Sequence, residues 1–103
     1  MAQLEFALLG SGSRGNATLV RSPSTRLLVD CGFAVRELRA RATALDFDLA
    51  SIDGILVTHE HSDHIGGVAR LARAHGLTVY LTPGTASARK DWHGCTLQRI
   101  SPH

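Results

Sequence analysis

The sequence lacks the cysteine patterning that would build a disulfide framework or a thiolate metal site. Its two cysteines, Cys31 and Cys95, lie far apart and neither belongs to a Cys-x-x-Cys pair. Such sparse usage fits a reduced, cytoplasmic setting. Long hydrophobic runs are also missing. Phe6 to Leu9 is too short for a signal peptide or a membrane span, and the residues before it carry no basic segment. A soluble protein without a membrane role is therefore expected. Charge of one sign is scarce too: 11 Lys and Arg against 9 Asp and Glu leave a formal charge of +2. That balance makes no case by itself for a nucleic-acid partner. No internal repeat or low-complexity tract interrupts the chain.

What is present suits one small domain. The chain has 103 residues, 44% of them hydrophobic and 19% charged, enough for a modest core. Residues 3 to 9 read as a first strand, with Leu4, Phe6 and Leu8 on one face and Leu9 on the other. Ala17 to Val20 and Arg26 to Asp30 read as two more strands, joined by a turn at Pro23-Ser24. Leu27-Leu28-Val29 predicts coverage of both faces. Ala34 to Ala44 predicts a helix, with Val35, Leu38, Ala42 and Leu45 at helical spacing and Arg36, Arg39 and Arg41 largely elsewhere on the wheel. Glu37 is placed to pair with Arg41. An acidic link follows, pinned by Phe47, Leu49 and Ile52. Gly54 to Val57 predicts a central strand, His64 to Ala74 a helix stopped by Gly76, and Leu77 to Leu81 a strand. Thr82-Pro83 starts a short helix over about 84 to 92, and Cys95 to Ile100 is a last strand. The pattern predicts an α+β fold, a mixed sheet with helices on one face.

Chemistry concentrates in Thr58-His59-Glu60-His61-Ser62-Asp63-His64. Four candidate metal ligands fall within six residues, at the end of the apolar run Ile55-Leu56-Val57. Imidazole and carboxylate donors suit zinc and its neighbours. In an extended loop His59 and His61 project to one side and can share a metal. Asp63 and His64 serve that metal or a second one. The plain alternative, a polar loop with coincidental histidines, has to place three of the chain's six histidines in one hexapeptide by chance. His75 reads as a helix C-terminal residue, and His93 as a surface one. Gly10-Ser11-Gly12-Ser13-Arg14-Gly15-Asn16 is either a tight hairpin connection or a site-lining loop. It has neither the P-loop nor the dinucleotide-binding spacing. Asp30, at a strand end before Cys31-Gly32, either caps a turn or orients a neighbouring loop.

His59-Glu60-His61-Ser62-Asp63-His64 carries the whole HxHxDH signature, with Thr58 before it and Gly66-Gly67 after it. The pattern resembles the metallo-β-lactamase fold superfamily. The glycine-rich loop and Val29-Asp30-Cys31-Gly32 resemble its small hydrolase branch, which contains a 5'-to-3' DNA exonuclease associated with a bacterial cell-wall two-component system. The cyclic phosphodiesterases of phosphonate breakdown look related. The resemblance implies that residues 1–103 are the N-terminal half of an αββα sandwich. His59 and His61 would then hold one divalent metal, and Asp63 and His64 a second. Zinc is expected, with manganese, iron or nickel as alternatives. Asp63 would also orient or deprotonate water. Asp30, Thr58 and Gly66 would support the loop, and residues 10–13, 15 and 16 would line the site. Arg14 is the phosphate-contact candidate; Arg36 and Arg39 are weaker ones. The family's remaining ligands come from a second half, so the metal shells here are expected to be incomplete. That half, or a second chain, would cover the sheet.

By this resemblance the whole domain hydrolyses phosphodiesters, with DNA ends as the leading substrate. A small cyclic phosphodiester, ester, thioester or lactam is the alternative. A truncated half-domain that only binds metal or associates with a partner is the non-enzymatic one.

Overall fold

The computed structural model of the chain describes residues 4–10, 16–58, 67–88 and 92–100. Six strands form one sheet in sequence order: β1 (Glu5–Gly10), β2 (Ala17–Arg21), β3 (Arg26–Val29), β4 (Gly54–Leu56), β5 (Thr78–Leu81) and β6 (Thr96–Arg99). The first three are antiparallel neighbours, whereas β3 to β6 run parallel. Parallel neighbours need long connections. Helix α1 (Val35–Ala44) lies between β3 and β4, α2 (Val68–His75) precedes β5, and the short α3 (Pro83–Ala88) precedes β6. The α+β class, the mixed sheet and the helices on one face are as expected from the sequence.

Register explains which residues form the core. Ala7, Leu19, Leu28, Ile55, Val79 and Leu97 stand opposite one another across all six strands. Successive side chains alternate between faces, so this row shares its face with Leu9, Ala17, Val57 and Leu81. Leu38 and Ala42 of α1 and Val68, Leu71 and Ala72 of α2 join the same buried cluster. Leu49 and Ile52 anchor the link before β4, and Phe47 packs partly against the cluster. Gly76 ends α2 at φ 64°, the left-handed conformation that suits glycine there.

The opposite face is also apolar. Phe6, Val20 and Leu27 form one cross-strand row, and Leu8, Thr18, Val29, Leu56 and Tyr80 another. On this face Leu27 and Val29 are only half-buried, so β3 is not fully covered on both sides. Two further boundaries differ from the sequence reading. Helix α3 is described only to Ala88, with Trp92 outside it. Leu45 caps α1 and is 51% exposed, so it is not part of the buried stripe.

Candidate metal centre

The parallel strands β3 and β4 end side by side. The Asp30 amide donates to the Leu56 carbonyl at 2.8 Å, and the Val57 amide to the Tyr80 carbonyl at 2.9 Å. These bonds bring the carboxyl ends of three strands together, where open parallel sheets place their ligands. Asp30 is 5% exposed, with φ 62°. Aspartate tolerates this left-handed backbone better than most residues. The conformation aims its carboxylate across to the next strand. The Thr58 amide donates to Asp30 Oδ1 at 2.7 Å, and the Thr58 hydroxyl to Oδ2 at 2.5 Å. Asp30 thus binds the residue immediately before His59 through both oxygens.

Three more residues in the same segment bind the other loop ends. The Cys31 carbonyl accepts from the Gly67 amide at 2.8 Å, and the Gly32 amide donates to the Asn16 carbonyl at 3.0 Å. A Cβ at Gly67 would overlap the Phe33 carbonyl oxygen, so the backbones touch there. A Cβ at Gly10 would strike the Phe33 ring. Residues 30–33 therefore contact Gly10 and Asn16, the two ends of the glycine-rich loop, and Thr58 and Gly67, which lie on either side of residues 59–64.

Arg41 completes the arrangement. Its guanidinium lies 4.2 Å from the Phe33 ring centroid, Nη1 donates to the Leu9 carbonyl at 2.8 Å, and Glu37 pairs with Nη2 at 3.2 Å. The β-bulge between Leu8 and Gly10 leaves Leu9 outside the regular ladder. Arg41 thus reaches the end of β1 while its side chain stays 39% exposed. Phe33 is a residue the sequence reading did not single out; it named Arg41 only as the partner of Glu37, and Gly67 only as part of the pair after the motif. The adjacent Gly66-Gly67 pair was the available signal for Gly67.

His59, His61, Asp63 and His64, together with Ser11, Gly12, Ser13, Arg14, Gly15 and Gly66, lie outside the described residues. Among the described residues no group of three or more His, Cys, Asp or Glu is placed to hold a metal. The donor set of three imidazoles and one carboxylate still fits a zinc-type ion by its chemistry. Both carboxylate oxygens of Asp30 accept from Thr58.

Comparison with known proteins decides the family. The family model of the Metallo-beta-lactamase superfamily matches residues 10–101. The chain belongs to that superfamily. It is 42% identical over 91 residues to Exodeoxyribonuclease YycJ of Bacillus anthracis, covering 88% of this chain and 34% of the relative. It is 36% identical over 87 residues to Exodeoxyribonuclease WalJ of Streptococcus pneumoniae serotype 2, covering 84% and 32%. Among solved structures, Rm3 metallo-beta-lactamase superposes with a TM-score of 0.68 at 32% identity, covering 80% of this chain and 31% of that one. The chain spans about a third of the length of the curated relatives it matches. No helix among the described residues is long and apolar enough to cross a membrane.

Proposed function

We propose that the chain is part of a cytoplasmic, metal-dependent phosphodiesterase that trims DNA from 5' ends when the whole domain is present. The observation that carries this reading is the HxHxDH motif between two anchored ends, Thr58 and Gly67, in a chain 42% identical to a protein named an exodeoxyribonuclease. His59 and His61 hold one divalent metal, and Asp63 and His64 the other. Zinc is the expected ion; manganese, iron or nickel would accept the same donors. The bound metals supply Lewis-acid polarisation of the phosphoryl group and a nucleophilic water. The chain's own part is positional. Asp30 holds Thr58, the residue before His59. Asp63 holds or accepts the proton of the attacking water. Arg14, on the glycine-rich loop, meets the substrate phosphate.

The likeness to Rm3 metallo-beta-lactamase supports a second reading, hydrolysis of a small lactam or ester. One panel separates the two. A 5'-phosphorylated DNA strand, bis-p-nitrophenyl phosphate and nitrocefin are offered to the protein with zinc or manganese. Release of nucleotides from the DNA, abolished by His59→Ala and Asp63→Ala, is the expected outcome. Turnover of nitrocefin alone favours the second reading. A protein that retains no metal and turns over none of the three is a binding or association module.

A further inference from the structure

The outer faces of the two longer helices carry charge of one sign. Helices α1 and α2 hold five arginines and a single acid, Glu37. Glu37 pairs with Arg41 at 3.2 Å, on the flank of α1 that reaches the Leu9 carbonyl. Arg36 and Arg39 are three residues apart and share the other flank. That flank meets α2: Arg39 Nη2 lies 3.4 Å from Nε2 of His75, in the last turn of α2. Arg70 stands in the first turn of α2, opposite its buried side of Val68, Leu71 and Ala72. Arg73 is drawn toward β6 by the His93 carbonyl at 2.8 Å. Arg36, Arg39 and Arg70 are exposed, and the Glu5–Arg21 and Glu37–Arg41 ion pairs leave them out. Solvated surfaces usually intersperse both signs, whereas a single-sign field steers a charged partner. Beside the Arg39–His75 contact lies an open groove of about 310 Å³, walled also by Thr43 and Asp48. Asp48, the one carboxylate on that wall, accepts from the Ala50 amide at 2.9 Å.

We propose that this arginine face binds the phosphate backbone of duplex DNA, outside the candidate metal centre. The proposal rests on the reading of DNA as the substrate. The planar fork of arginine suits phosphate oxygens, and Arg36, Arg39, Arg70 and His75 present donors from two adjacent helices. Their position points the same way. Helix α1 follows β3 and α2 follows β4, so both begin at the carboxyl ends of those strands. Arg36 and Arg70 stand in the first turns, and Arg39 and His75 lie further along. The basic face therefore starts at the end of the sheet where Asp30 holds Thr58, and leads away from it. A duplex longer than the site has to leave across some surface, and on this one no acid of either helix opposes it. An anionic membrane fits less well. No large apolar side chain within α1 or α2 is exposed, whereas helices that lie in a membrane interface insert Trp, Phe or Leu.

The test is binding of a fluorescein-labelled DNA duplex of mixed sequence to the chain, read by anisotropy in EDTA over a range of sodium chloride. Contacts from the three arginines predict a slope of about −2.7 in log K against log salt. Arg39→Gln and Arg70→Gln should each make the slope shallower by about 0.9. Arg39→Glu with Arg70→Glu should weaken binding about tenfold or more at low salt. Arg21→Glu with Arg26→Glu changes the net charge equally on the β2–β3 hairpin, and should cost no more than about threefold. Circular dichroism accompanies every variant, and the glutamine variants decide the matter if a charge reversal unfolds the chain. Equal losses for the two charge-matched pairs, or no loss for either, overturn the proposal. So does a wild-type chain that captures phosphatidylserine vesicles but no duplex, or that binds neither. A chain that binds duplex through these arginines yet hydrolyses no phosphodiester overturns the hydrolase reading alone. One that releases nucleotides from DNA while the arginine variants bind duplex like the wild type overturns this proposal alone.

Discussion

Asp30 and Cys31 show how neighbouring residues take opposite roles. Asp30 spends its carboxylate on two donors of Thr58, a charge-assisted pairing stronger than a neutral one. Cys31 turns its thiol into the core, fully buried. Burial is the main reason its pKa is pushed up from the usual 9.0 to about 12; a hydrogen bond with the Phe33 backbone opposes the shift, and the Asp30 charge adds to it. A thiol held protonated in this way is a poor nucleophile. The consequence for stability has a definite sign. Below pH 9.0 the folded and unfolded chains both keep the proton. Between 9.0 and about 12 the unfolded chain releases it and the folded chain does not, so stability falls through that window. Cys31→Ala should flatten this alkaline limb in urea midpoints measured from pH 8 to 11. A limb of unchanged slope would show that burial of Cys31 is not its cause.

At the scale of elements, the glycine that begins α2 is as constrained as the one that ends it. Gly67 precedes Val68, and its missing Cβ is what lets the helix start against the Phe33 carbonyl. The obstacle is backbone, which cannot swing aside as a side chain can. Gly67→Ala should destabilise by about 1–3 kcal/mol in chemical unfolding, and the Gly67 amide should exchange faster with solvent. An alanine variant with unchanged stability would mean that α2 shifts freely along the sheet. Elements of this kind were readable to different depths. The period of α1 correctly selected Leu38 and Ala42, and Thr82-Pro83 correctly marked a helix start, where the Thr82 hydroxyl accepts from the Thr85 amide at 3.3 Å. The same reading placed Arg41 beside Glu37, as observed, but not its reach to the Leu9 carbonyl, because a long side chain extends where its Cβ does not point. Phe33 was invisible for another reason. Its decisive contacts are with glycines 23 residues before it and 34 after it, and no periodicity encodes a missing Cβ. Asp30 was legible as a candidate from its place at a strand end, but its Thr58 partner, 28 residues on, was not.

The whole molecule presents two apolar sheet faces and covers one with helices. On the other, Leu4, Phe6 and Leu8 are 64%, 69% and 63% exposed, beside half-buried Val20, Leu27, Val29, Leu56 and Tyr80. A contiguous surface of this kind marks a place where another layer packs. The chain spans about a third of its curated relatives, so the remaining length of such a protein is ample for a second sheet. We propose that residues 1–103 form one half of an αββα sandwich, and that this face receives the other half. The isolated 103-residue chain should then associate through it. Phe6→Lys with Leu8→Lys places two like charges on the face and leaves the core row of Ala7, Leu19 and Leu28 intact. Sedimentation should show self-association for the wild-type chain and a shift toward monomer for the double variant, at unchanged circular dichroism. Binding of a hydrophobic dye should fall in parallel. If the wild-type chain sediments as a monomer and takes up no dye, the face is not seeking a partner layer. The energetics favour association: moving apolar surface out of water contributes about 25 cal/mol per Å². The two lysines would oppose that gain both by hydration and by mutual repulsion at the contact, while the helix-covered face holds the fold.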